Sequence, residues 1–182
     1  MVGSPDPPKP YLVEQVFEHI ELSQGLEIVP LDGRLIVVER GGKIWSFPEK
    51  DPTKTPADLS IDLKEERPDL NSAYGIAFHP NWKENHEVYL TYTLGSDLED
   101  GSKLSRFRFT ISETGVPEIL SDSEEVILTW RSGGHNGANL QFGPDGFLYV
   151  STGDAMPPNP PDILKTGQDN SDLLSSVLRI DI

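Results

Sequence analysis

Residues 138–152 read Ala138-Asn139-Leu140-Gln141-Phe142, Gly143-Pro144-Asp145-Gly146, Phe147-Leu148-Tyr149-Val150-Ser151-Thr152. Apolar and polar residues alternate on either side of a Gly-Pro-Asp-Gly turn, the period-two signature of a half-buried hairpin. After a loop, Ser176-Val177-Leu178-Arg179-Ile180-Asp181 supplies a third strand. The same arrangement occurs twice upstream. Residues 25–29, the turn Asp32-Gly33, and residues 35–40 and 43–47 form one copy; residues 75–80, a longer turn through Asn85, and residues 88–93 and 104–109 form another. Segments 59–63 and 125–128 are placed as fourth, outer strands. Corresponding strands begin at Leu35, Val88 and Phe147, a repeat of roughly 50–60 residues, slightly longer than common propeller blades. An all-β propeller explains the pattern, with a sandwich as the alternative. Propellers close with about four to eight blades, so the roughly three copies here are expected to be part of one, cut short.

The chain has 182 residues, with 15 Lys and Arg against 30 Asp and Glu and a formal net charge of −15. Phosphate and anionic headgroups are recognised through Lys and Arg, so this balance excludes nucleic acid and acidic membrane surfaces as partners. No apolar run approaches the ~18 residues of a membrane helix. The absence of cysteine removes disulfides, thiolate catalysis and Cys-ligated metals together. Residues 1–10 are polar and proline-rich and lack the apolar core of a secretory signal; they are expected to be a leader, with the partial propeller over residues 11–182.

With Gly143 opposite Gly146 across the turn, His135 falls opposite Asp154, their Cβ atoms expected ~5 Å apart. A carboxylate beside an imidazole fixes its tautomer and stabilises the imidazolium, which is the architecture of a general base. Around it the chain reads Ser132-Gly133-Gly134-His135-Asn136-Gly137, and glycines there admit the close approach of another backbone or a flat ligand. The other histidines show no metal-ligand spacing: His79 precedes Pro80, His86 lies in a charged turn, and His19 alternates with apolar residues as on the outer face of a strand.

The run from His135 to Asp154 resembles the signature hairpin of the glucose/sorbosone dehydrogenase family, soluble six-bladed propellers that use pyrroloquinoline quinone (PQQ). Gly75-Ile76-Ala77-Phe78-His79-Pro80-Asn81-Trp82 is similar to a second motif of that family, and Leu174-Ser175-Ser176-Val177-Leu178-Arg179-Ile180-Asp181 to a third. The resemblance implies a six-bladed propeller of which this chain supplies about half. It places His135 on the catalytic base and Asp154 on the acid that orients it. It further implies oxidation of an aldose at its anomeric carbon to the lactone, with hydride passing to PQQ and a Ca²⁺ bound to the cofactor. Electrons would leave to an external acceptor, a cytochrome or quinone, and the site of action would be periplasmic or secreted. Arg131 and Asn136, which flank the base, are candidates to hydrogen-bond a quinone or sugar oxygen; Arg131 can equally pair with a surface carboxylate.

The chain departs from the pattern in places. Leu70 stands where sugar-oxidising members carry a Gln or Glu near the cofactor, and the loop after Asp154, Ala155-Met156-Pro157-Pro158-Asn159-Pro160-Pro161, is stiffer than the usual glycine-rich one. The cationic residues that neutralise PQQ and the ligands of its Ca²⁺ are expected in the absent half, so the fragment alone is expected to be inactive. Two other readings stand: a non-catalytic binding module resembling Hedgehog-interacting proteins, and a metal-dependent propeller lactonase.

Overall fold

The structure is a computed structural model describing Leu22 and residues 24–50, 57–160 and 162–182. The leader and the strand expected around His19 lie outside the described residues. Three antiparallel sheets follow one another along the described residues. The first comprises β1 (Gly25–Leu31), β2 (Arg34–Glu39), β3 (Lys43–Pro48) and β4 (Asp58–Asp62). The second comprises β5 (Leu70–Phe78), β6 (Glu87–Leu94), β7 (Ser102–Ile111) and β8 (Pro117–Trp130). The third holds β9 (Gly137–Phe142), β10 (Leu148–Thr152) and β11 (Val177–Ile180). Strands adjacent in sequence are adjacent in space, so each sheet is a meander.

Local chemistry sets the turns. Asp32 and Gly33 both take positive φ, 47° and 80°, with Leu31 paired to Arg34; this two-residue turn matches the twist of its strands. The long turn before β6 is a single helical turn, α2 (Trp82–Asn85), ended by His86 in the left-handed region at φ 55°. A second helical turn, α1 (Leu63–Glu66), leads into β5, with the Asp62 carboxylate accepting from the amides of Lys64 and Glu65. β8 is much longer than the segment 125–128 read from sequence. Two register shifts against β7 bend it, and its mixed burial hides the alternation that marks the inner strands.

The middle sheet is covered on both faces, which explains why β6 is apolar almost throughout. Val88, Leu90 and Tyr92 enter a core shared with the first sheet, alongside Ile36, Ile44, Ile76 and Phe107. Tyr89 points the other way, with Leu104 of its own sheet, into a core with Leu140, Leu148 and Val150 of the third sheet. Strand side chains alternate faces, so a strand between two cores must carry apolar groups at odd and even positions alike.

Backbone pairing also fixes which connections share an end. Leu70 pairs with Leu94, Ser102 with Trp130, and Gly137 with Thr152. The Ala73 amide donates to the Arg40 carbonyl, joining the first sheet to the second at this end. Segments 95–101, 131–136 and 153–176 therefore gather at one end, and His79, Trp82 and His86 lie at the other.

Candidate active site

The hairpin does not hold the simple register expected of it. The Gly146 amide donates to the Gly143 carbonyl, and the Gly143 amide to the Phe147 carbonyl, with Gly146 at φ 83°. This is a three-residue loop closed by a glycine bulge, not a two-residue turn. Phe142 is consequently opposite Leu148, one residue out of the expected step. A second irregularity near Ala138, itself at φ 82°, returns the pairing so that Gly137 faces Thr152. The Thr91 hydroxyl from the second sheet donates to the Ala138 carbonyl at 2.5 Å and pins this bulge. The two offsets cancel, and His135 does face Asp154: Nδ1 and Oδ1 are 3.1 Å apart.

Beyond β9 and β10 the two backbones continue as a ladder. Gly134 donates to the Ala155 carbonyl, His135 to that of Met156, Ala155 to that of His135, and Gly153 to that of Asn136. The glycines serve this approach. A Cβ at Gly133 would lie 1.7 Å from the Ala155 oxygen and one at Gly153 2.0 Å from the His135 oxygen. The backbone of residues 153–156 fills the space beside the glycines.

The Asp154 side chain is largely buried and that of His135 is 47% exposed. Asp154 Oδ1 accepts from the Met156 amide at 2.9 Å as well as facing the imidazole, and Oδ2 accepts from the Asp162 amide at 2.9 Å. Burial works against the charge, but the Met156 and Asp162 amides together with His135 outweigh it and hold the carboxyl below the usual range. Since this carboxylate is ionised, it accepts the Nδ1 proton of a neutral His135 and leaves Nε2 as the free base. Nε2 has no hydrogen-bond partner among the described residues.

A carboxyl depressed in the native state stabilises it above the ordinary carboxylate range, and that contribution is lost as pH falls through the lower native value. The amide resonances of Met156 and Asp162 are expected to titrate together with a midpoint below ~4. Midpoints at or above that value would remove the two amides as the cause.

The other expected site residues fall out differently. The Asn136 amide is buried and spent within the protein: its oxygen accepts from the Gly133 amide at 2.8 Å, and its nitrogen donates to the Gly133 carbonyl and the Tyr74 hydroxyl, both at 3.0 Å. Asn136 thus closes the loop that carries His135 and ties it to β5. The Arg131 guanidinium is held by Asp97 and Glu99, at 2.5 and 3.3 Å. Leu70 is turned into the core between the first two sheets, leaving exposed Asn71 as its polar neighbour at this end. Tyr74 and the fully buried Ser132, which donates its amide to Leu98 and accepts from that of Asp97, carry no sequence signal; only the fold brings them to the loop.

Meandering antiparallel sheets with an imidazole–carboxylate pair at one end define an all-β scaffold. The sequence model of the glucose/sorbosone dehydrogenase family matches residues 21–182, and the chain belongs to that family. It is 31% identical to human Hedgehog-interacting protein over 166 residues, covering 88% of this chain and 23% of that protein. An uncharacterized protein of Synechocystis is 28% identical over 91% of this chain and 42% of its own length. The PQQ-bound aldose sugar dehydrogenase of Streptomyces coelicolor has the same fold, with a TM-score of 0.72 and 22% identity, over 93% of this chain and 47% of that one. The chain thus spans between about a quarter and a half of these proteins. No helix among the described residues is long and apolar enough to cross a membrane.

Proposed function

We propose that the chain carries the proton-abstracting half of a six-bladed propeller that oxidises an aldose at its anomeric carbon with PQQ. The observation behind this reading is a half-exposed imidazole whose Nδ1 is fixed by a buried carboxylate and whose Nε2 is free. Membership of the family and a shared fold with a PQQ-bound aldose sugar dehydrogenase support the cofactor and substrate class. The chemistry PQQ would supply when bound is a hydride acceptor for the anomeric carbon. His135 Nε2 takes the anomeric hydroxyl proton, Nδ1–H stays on Asp154, and the carboxylate stabilises the imidazolium so formed. The product is the lactone, with electrons leaving to a cytochrome or quinone, and a periplasmic or secreted location belongs to the same proposal.

Half-exposed His135, whose Nε2 has no partner among the described residues, is what this chain would offer to the reacting side of the cofactor. Among the described residues no three His, Asp or Glu side chains converge as a metal site. One further reading has an observation in its favour. The likeness to Hedgehog-interacting protein, with Leu70 sunk in the core, fits a non-catalytic binding module.

Titration of the full-length protein with PQQ and Ca²⁺, followed by dye-linked aldose oxidation, separates the two. Saturable binding with oxidation is expected. An intact fold that binds no PQQ would shift the assignment to the binding module.

A further inference from the structure

We propose that Asp162 is a positioning residue for the His135–Asp154 pair, acting through a closed circuit of hydrogen bonds in the 153–176 connection. The catalytic meaning of this inference rests on His135 being the base; the positioning itself does not. A connection of this length is usually functional, and this one is organised around a single side chain. The Asp162 amide donates to Asp154 Oδ2 at 2.9 Å. Its own carboxylate accepts from the Thr166 amide at 2.6 Å, the Thr166 hydroxyl at 2.8 Å and the Gly167 amide at 3.3 Å. Because the Thr166 proton goes to Asp162, the Ser175 hydroxyl is the donor in the 2.7 Å contact between the two hydroxyls. The Ser175 amide donates to the Gly153 carbonyl at 2.9 Å, next to Asp154, and closes the circuit.

The backbone needs that circuit. Asp162, Lys165 and Ser175 all sit at positive φ, 43°, 56° and 48°, a region that non-glycine residues occupy only when their surroundings hold them there. Thr166 is buried at the centre of the turn. Without the Asp162 carboxylate the turn loses three acceptor bonds at once, and Asp162 is freed to leave the left-handed region. Its amide is then withdrawn from Asp154 Oδ2. Asp154 keeps Met156 but is no longer held from both sides, and its alignment on His135 Nδ1 loosens. The imidazole has no other side-chain partner among the described residues to choose its tautomer.

The test is the tautomer of neutral His135, read from long-range ¹H–¹⁵N spectra of ¹⁵N-histidine-labelled protein above the imidazole titration, with the resonance assigned by His135→Gln. The wild type is expected to show a protonated Nδ1 and an unprotonated Nε2. Asp162→Ala is expected to shift His135 towards the Nε2–H form, with His79 and His86 at the far end unchanged as internal controls of folding. Asp162→Asn keeps the oxygen that accepts both Thr166 bonds and is expected to restore the wild-type spectrum. An unchanged tautomer in folded Asp162→Ala would overturn the inference, as would an Asn variant that behaves like Ala. Should Asp162→Ala not fold, Thr166→Val, which keeps shape and backbone but removes the hydroxyl, is expected to give a smaller shift in the same direction; a wild-type tautomer there is equally fatal. The readout needs no cofactor, so a protein that never oxidises sugar leaves this result standing and refutes only the catalytic reading.

Discussion

Replacing His135 by Gln in the full-length protein is expected to lower sugar oxidation by about 10²–10⁴-fold, the usual contribution of a positioned general base, while thermal stability changes little. The two halves of that expectation have separate grounds. The imidazole is half-exposed and its side chain contacts Asp154 alone through hydrogen bonding, and removing such a group generally shifts stability by only about 0.5 kcal/mol. Asp154 still keeps the Met156 and Asp162 amides, so its charge is not stranded. Asp154→Asn is expected to be comparably impaired, because a base locked in the wrong tautomer loses up to ~10⁴ in kcat. Turnover in His135→Gln within a few-fold of wild type would take the base assignment away. A collapsed melting transition would show that the histidine is structural.

Gly153→Ala is expected to produce a large loss of stability for so conservative a change at the site. The added methyl would lie 2.0 Å from the His135 carbonyl oxygen. That oxygen is backbone, already engaged by the Ala155 amide, and cannot swing aside as a side chain would. Overpacking of this kind costs about 1–3 kcal/mol, a fall in Tm of roughly 2–12 °C for a chain of this size. Gly41 is the matched control, since a Cβ there meets nothing within 4 Å and Gly→Ala at an unstrained position is neutral or stabilising by up to ~1 kcal/mol. Equal melting temperatures for Gly153→Ala and Gly41→Ala would mean that the two backbones are not packed as described. Calorimetry of the two variants side by side decides it.

Most of the sheet architecture was legible because its signals are local. The Asp32-Gly33 turn, the β-branched run of β2 and the alternation of β9 and β10 each announce themselves within a few residues. What the sequence hides is long-range or directional. Nothing in Gly-Pro-Asp-Gly distinguishes a two-residue turn from a bulged three-residue loop, and nothing near Ala138 announces the second bulge, because the group that pins it, Thr91, belongs to another sheet. The facing of His135 and Asp154 was expected from a register that the strands between them do not hold. Asn136 was legible as a neighbour of the base, but a one-dimensional pattern does not say which way an amide points, and this one points inward to Tyr74 and Gly133. Asp162, eight residues from the carboxylate it supports, has no spacing signal because the connecting loop follows no period.

The paired bulges have a consequence for how this hairpin can change. Each strand presents alternate side chains to opposite faces, so whether His135 and Asp154 meet is a question of parity. One offset at Gly146 and one near Ala138 make an even total. Removing a single residue from the turn, or smoothing out only the inner bulge, would leave an odd total and send the imidazole and the carboxylate to opposite sides of the sheet, although every strand could still form. Insertions and deletions between the two residues are therefore tolerable only in compensating pairs. A homologous hairpin whose length differs by one residue should be checked for a second, hidden irregularity before its histidine is taken to be poised in the same way.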